Sequence, residues 1–137
     1  MNRSDGAAIY INNVYKYSTY TEKIGELKII SSTINFSKNF TIKISGLYRC
    51  FVIDKSTFLN YLKSYLNANN NQKNHCIVGD LNFDLMNMDS QNEEFLNNFL
   101  EMGYIPNFTK ITRPDLKAIN GGTCIDNIFQ DFNQPTY

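Results

Sequence analysis

Ile77-Val78-Gly79-Asp80-Leu81-Asn82-Phe83-Asp84 is the stretch on which the reading of this chain turns. The short apolar run Cys76-Ile77-Val78 reads as a buried strand, and a glycine ends it. Asp80 and Asn82 then fall at the strand's C-terminal end, where α/β folds place their sites. On an extended backbone, residues two apart project to the same side. The pair would set a carboxylate, a hard-oxygen metal ligand or proton acceptor, beside a neutral hydrogen-bond donor. That combination suits a phosphate ester that must be held and polarised while an oxygen attacks phosphorus.

Outward from this strand the chain alternates strand and helix signals. Ala7 to Tyr17 alternates and is rich in Ile, Val and Tyr, which predicts a strand. Leu27 to Ser32 and Phe40 to Tyr48 are further strands, with Asn35 to Asn39 as the hairpin turn before the latter. From Ser56 to Asn67, Phe58, Leu59, Leu62, Tyr65 and Leu66 make one apolar stripe at helical spacing. The polar run Asn67 to Asn74 is a surface loop. Ser90-Gln91-Asn92-Glu93 reads as a capping box, with Ser90 as N-cap, opening a helix that turns Phe95, Leu96, Phe99 and Leu100 inward and closes at Gly103. A last strand, Thr123 to Phe129, follows Gly121-Gly122. The pattern is that of one α/β domain over residues 1–137.

The bulk numbers narrow the function. A chain of 137 residues is about one domain long, and 42% hydrophobic with 14% aromatic content supports a packed core. Thirteen basic and thirteen acidic residues cancel. Neutrality argues against a strong nonspecific nucleic-acid binder, though not against an enzyme with a local basic rim. Cys50, Cys76 and Cys124 are odd in number, far apart and without a CxxC, which reads as buried thiols in a reducing compartment with no disulfide partner. His75 and Cys76 are adjacent, so on a strand they face opposite sides and do not share a zinc ion. Polar residues follow Met1, and no apolar run approaches the ~20 residues of a membrane span. The expectation is a soluble intracellular protein, cytoplasmic or nuclear.

Four pieces carry candidate chemistry: Tyr48-Arg49 at the end of the third strand, Asp80 and Asn82, Thr112-Arg113-Pro114 in a loop, and Asp126 in the last strand. A tyrosine hydroxyl and an arginine can hold phosphate oxygens, and a second aspartate can orient a nearby group. Each piece has a plainer reading. Asp-x-Asn is also a turn signal, and Tyr-Arg at a strand end is usually a solvated edge. Asp126 is the sharper anomaly, because a carboxylate inside an apolar strand needs a partner or a task. Asp80-x-Asn82-x-Asp84 opens like a calcium-binding loop, but Leu85 and Gln91 occupy the positions that need glycine and glutamate.

In order and spacing the chain resembles the endonuclease/exonuclease/phosphatase superfamily, nearest to the endonuclease module of LINE-type (non-LTR) retrotransposons. The segments that carry the resemblance are Asp5-Gly6-Ala7-Ala8-Ile9-Tyr10-Ile11, Gly46-Leu47-Tyr48-Arg49, Ile77 to Asn82, Thr112-Arg113-Pro114 and Cys124 to Phe129. The resemblance implies a partial four-layer α/β sandwich, mixed sheets flanked by helices, and metal-dependent cleavage of DNA phosphodiesters with Mg²⁺ or Mn²⁺. Asp80 would orient or deprotonate the attacking water, and would be the possible metal contact. Asn82 and Tyr48 would hold the phosphate, and Asp126 would support the centre. Arg49, Thr112 and Arg113 would lie along the nucleic-acid backbone. A parent polyprotein would also carry a reverse transcriptase.

The departures count too. The family places an asparagine strand and a metal-binding glutamate segment before the Ala7 strand, and a Ser-Asp-His element after the last one; neither is in this sequence. Glu22 and Glu26, in the expected turn between the first two strands, are in the wrong place for that glutamate. His75 lies five residues before Asp80 on one strand, roughly 16 Å away, and cannot act at the phosphate. The expectation is therefore a truncated domain with impaired catalysis, an acid–base group alone supplying ~10²–10⁴ in rate. The alternatives are a non-catalytic remnant that binds nucleic acid or phosphate, and hydrolysis of a phosphomonoester or phospholipid head group.

Overall fold

The architecture of a computed structural model, described for residues 7–131, is a six-stranded mixed sheet with two helices on one face. The strands are β1 (Lys16–Ile24), β2 (Leu27–Ser37), β3 (Phe40–Leu47), β4 (His75–Asp80), β5 (Ile105–Pro106) and β8 (Asp126–Gln130), in the order β1-β2-β3-β4-β8-β5. Helix α1 (Lys55–Ala68) crosses from β3 to β4, the one parallel pair. Helix α2 (Ser90–Glu101) follows β4, and β6 (Arg113–Pro114) pairs with β7 (Gly122–Thr123) as a separate ribbon.

The apolar periodicities decide which face is buried. Leu27 and Ile29 of β2, Leu47 of β3, Ile77 of β4 and Phe129 of β8 alternate to one side and meet Phe58, Leu62 and Leu66 of α1 and Phe95 and Phe99 of α2. Phe99 stacks on Phe129 at 3.7 Å between centroids, and Phe83 on Phe95 at 4.3 Å. The other face, with Ile30, Ile44 and Val78, is only half-buried. The mixed sheet and its flanking helices are as expected; among the described residues they amount to one large sheet, one helical layer and the small β6–β7 ribbon.

Four local expectations are corrected. No strand spans Ala7 to Tyr15: Asn12 accepts the Val14 N–H on its side chain at 3.1 Å and the Tyr15 N–H on its carbonyl at 3.2 Å, a turn that interrupts the alternation. The first strand therefore starts at Lys16 and carries Glu22 within it, opposite Ile29; only Glu26 sits in the turn, beside Gly25 at φ 58°. The N-cap of α2 is Asp89, not Ser90. Its carboxylate accepts the Asn92 N–H at 2.8 Å, and a negative acceptor suits the helix N-terminus best. Leu100, expected inward, is exposed. Asp5-Gly6 of the resemblance lies outside the described residues.

Candidate active site

Gly79 brings the chain to the site. A Cβ there would sit 1.8 Å from the Leu47 carbonyl oxygen, so only glycine lets β3 and β4 run this close. β4 then ends at Asp80, directly opposite Asp126, the first residue of β8. Two like charges facing each other across an antiparallel pair repel. The repulsion is offset from one element. Arg113 Nη2 reaches Asp80 Oδ2 at 3.1 Å, and Thr112 Oγ1 donates to Asp126 Oδ2 at 3.2 Å. Thr112 is held in turn through its N–H, which donates to the Thr123 carbonyl at 2.9 Å, next to the β6–β7 ribbon. Of the ion pair, Arg113 is 57% exposed and Asp80 25%, so the arginine can leave without unfolding anything.

Asn82 does not project beside Asp80 from an extended strand as expected. Its φ is 54°, in the left-handed region that few non-glycine residues enter. The Asn82 N–H donates to Asp80 Oδ1 at 3.2 Å and its Nδ2 to the Arg49 carbonyl at 3.3 Å. Left-handed backbone of this kind collects at functional sites.

Arg49 is buried, and its guanidinium is aimed at the backbone: Nε to the Leu81 carbonyl at 2.9 Å, Nη1 to Ile53 at 2.9 Å and Nη2 to Asn82 at 3.4 Å. Burial lowers its pKa, and the Asp80 charge opposes the shift. The donors that sequence reasoning directs at a phosphate are thus engaged in fixing the loop that carries Asn82. Tyr48, half-buried just past β3, lines a cleft of about 470 Å³ with Asp80, Val78 and Tyr10. A second recess of about 380 Å³ lies on the other side of Tyr48, lined by Glu26, Lys28 and Cys50. Tyr48 and Asp80, Asp126 and Thr112, and Arg113 are therefore brought together; Arg49 stands behind them.

Asp84 is the residue that sequence reasoning missed. Its Oδ1 accepts the Cys124 N–H at 2.9 Å and the Met86 N–H at 3.0 Å, tying the loop after β4 to the approach to β8. The third acidic or amide side chain in Asp80-x-Asn82-x-Asp84 was the available signal. Together with Leu81 N–H to Ile125 and Leu85 N–H to Cys124, it explains why the expected strand Thr123 to Phe129 is broken at Cys124-Ile125.

Among the described residues no three His, Cys, Asp or Glu side chains converge where they could hold a metal ion. Asp80 and Asp126 supply two carboxylates, with both oxygens of Asp80 and one of Asp126 already bonded, against the roughly six oxygens of a Mg²⁺ shell. These residues alone do not fit the cation. No helix among the described residues is long and apolar enough to cross a membrane.

No protein-family model matches the sequence, and no curated protein matches it. Among solved structures, the endonuclease domain of TRAS1, a telomere-specific non-LTR retrotransposon, is similar in fold, with a TM-score of 0.63 at 12% identity. The likeness covers 87% of this chain and 57% of that domain, so the chain spans little more than half of its structural relative. The six-stranded mixed sheet with its helices on one face is an α/β fold similar to that of this domain.

Proposed function

We propose that this chain is a phosphodiesterase-type domain acting on nucleic acid, with the Asp80–Asp126 corner as its working end. The observation that carries the reading is the register of β4 and β8, which sets two carboxylates opposite each other beside an exposed arginine and a tyrosine-lined cleft. Asp80 orients or deprotonates the attacking water. Arg113 moves from Asp80 to a phosphate oxygen, where a bidentate, charge-assisted contact is stronger than an exposed ion pair. Tyr48 and the Asn82 amide hold the phosphate, Asp126 keeps Thr112 in place beside it, and Arg49 positions the Asn82 loop. The likeness to the endonuclease domain of a retrotransposon makes DNA the first substrate to test, and a reverse transcriptase is the neighbour this reading expects in a parent polyprotein.

Mg²⁺ or Mn²⁺ is the cofactor the resemblance implies. Two carboxylates make an incomplete donor set for the ion, and turnover by this chain is expected to be low. That same shortfall favours the second reading, a domain that binds nucleic acid or phosphate without cleaving it. Supercoiled-plasmid nicking in Mg²⁺ and in Mn²⁺, beside Asp80→Ala, separates the two. Nicking lost in the variant supports catalysis at Asp80. No nicking, with retained DNA binding that weakens in Arg113→Ala, supports the binding reading, and nicking that both proteins share defeats the assignment of Asp80.

A further inference from the structure

We infer that the end of the sheet remote from Asp80 is a stacking platform for single-stranded nucleic acid. Tyr15, Phe36 and Phe40 form a continuous aromatic surface there, with ring centroids 4.8 Å apart for Tyr15 and Phe36 and 6.0 Å for Phe36 and Phe40. All three rings are open to solvent, 39%, 42% and 44% exposed. Three large adjoining rings left in water are a surface with a use, whereas scattered single ones need no explanation. The irregularity of the β2–β3 register between Asn35 and Ser37 places Phe36 as the extra residue of a bulge, a device that re-aims side chains at sheet ends. Tyr15 and Phe36 border a recess of about 460 Å³ that Lys16 and Lys38 also line.

Charge selects the occupant. Residues 12–21, 33–43 and 67–74 at this end include Lys16, Lys38, Lys43 and Lys73 and no carboxylate, and Asp131, which also lies at this end, is engaged in accepting the His75 N–H at 2.6 Å, in a chain whose total charge is zero. Lys43 is buried and paired with Glu22 at 3.8 Å, but Lys16, Lys38 and Lys73 are exposed. The loop holding Lys73 is fastened beside Phe40: the Lys43 N–H donates to the Asn74 carbonyl at 3.0 Å, and Asn74 Nδ2 to the Thr41 carbonyl at 3.4 Å. Exposed rings ringed by lysines fit a polyanion with exposed flat faces. A duplex hides its base faces, so the fit is to an unpaired strand, on which stacking is tolerant of sequence. Phe40 and Tyr48 stand at opposite ends of β3, about 26 Å apart at 3.3 Å per residue, so this surface stands whether or not Asp80 supports cleavage.

Fluorescence anisotropy with a labelled 12-base oligothymidylate, its oligouridylate counterpart and the blunt duplex tests the assignment on the full chain. Expected is saturable binding of single strands in preference to duplex, weakened about 10-fold by Phe36→Ala, as for loss of one stacked base. Lys16→Gln with Lys38→Gln should flatten the slope of log affinity against log salt by about 1.4, at ~0.7 per phosphate contact, and decides the matter if the ring variant fails to fold. Single strands bound no better than duplex, binding that the ring and lysine variants share with the parent, or a self-association abolished by Phe36→Ala, which would make the patch a contact between copies along β1, would each overturn it.

Discussion

At its N-terminal end β4 holds His75, fully buried, with Nδ1 sharing a hydrogen bond with Tyr104 Oη at 2.6 Å and Nε2 with Ser45 Oγ at 2.8 Å. At its C-terminal end, five residues on, β4 holds Asp80, a quarter exposed and bonded to an arginine that is itself mostly in water. The histidine's neighbours complete a closed network: Tyr65 Oη donates to Ser45 at 2.7 Å, and Ser45 shares a bond with Ser31 at 2.8 Å. Burial, with the Lys43 charge, lowers the His75 pKa to about 3, so the ring is neutral at every physiological pH. A strongly perturbed titratable group is a candidate functional residue by itself, but here the ring is fully buried and each ring nitrogen has a partner. The comparison teaches that satisfaction separates structural polar groups from chemical ones. The buried end has no bond left to offer a substrate; the exposed end has an arginine that can change partners and a left-handed Asn82.

The residue that joins these two ends should be the least replaceable. Gly79→Ala puts a methyl group into the Leu47 carbonyl, a collision with backbone that no rotamer relieves. Separation of β3 from β4 would break the parallel pairing of Lys43–Gly46 with His75–Val78 and disturb both ends of β4 at once. The expected loss is ~4 kcal/mol or more, in the range reserved for gross steric or backbone conflicts. Thermal unfolding followed by circular dichroism checks it. A variant that melts like the parent would mean that the two strands are not held this closely.

The next largest effect belongs to the closed end. His75→Phe puts a somewhat larger, apolar ring in its place, strands the Tyr104 hydroxyl and removes one of the bonds of Ser45, at ~1–3 kcal/mol for a buried group left without its partner. The parent should also lose stability in acid. Its folded His75 pKa of about 3 lies below the unfolded value near 6.5, so the unfolded chain takes up a proton that the folded one refuses. Stability is then complete above about pH 6.5 and falls below it by up to ~1.4 kcal/mol per pH unit. Urea midpoints between pH 7 and 5 read this slope, and His75→Phe should remove it. The Asp131 carboxyl, whose pKa burial raises, works in the opposite sense as the pH falls, so the comparison with His75→Phe isolates the histidine's share.

Legibility from the sequence divides along the same line. β2, β3 and both helices follow from local apolar periodicity, because each buries one face against the same core. Ala7 to Tyr15 has the same alternation without the strand, since Asn12 supplies a turn that propensity does not weigh. Asp80, Asn82 and Asp126 stand out in the sequence as polar residues at the ends of apolar runs. Their geometry does not: the Asp80–Asp126 register is set by pairing between strands far apart in the chain, and Asn82 leaves the extended region because Arg49, from another element, claims its carbonyl and accepts its amide. Arg49 itself reads as a solvated strand-end cation, and only the fold shows three carbonyls waiting for it. The His75 network draws on β3, α1, β4 and the residue before β5, so no window of sequence contains it.

The smallest effect on stability should come with the clearest effect on function. Arg113→Ala removes an exposed ion pair, worth ~0–1 kcal/mol, and the fold should barely respond. Were Arg113 placed only to neutralise the facing carboxylates, its loss would leave Asp80 and Asp126 repelling each other and destabilise the β4–β8 edge, while binding of a phosphate would change little. If it instead moves to the phosphate, affinity for a labelled DNA duplex should fall, and the salt slope should flatten by ~0.9, one phosphate contact. Urea midpoints and anisotropy on the same preparation decide between the two. A midpoint unchanged within error beside a flattened slope identifies an arginine held in reserve on Asp80; a lowered midpoint with an unchanged slope would make this corner as structural as the His75 end, and would erase the contrast between the two ends of the strand.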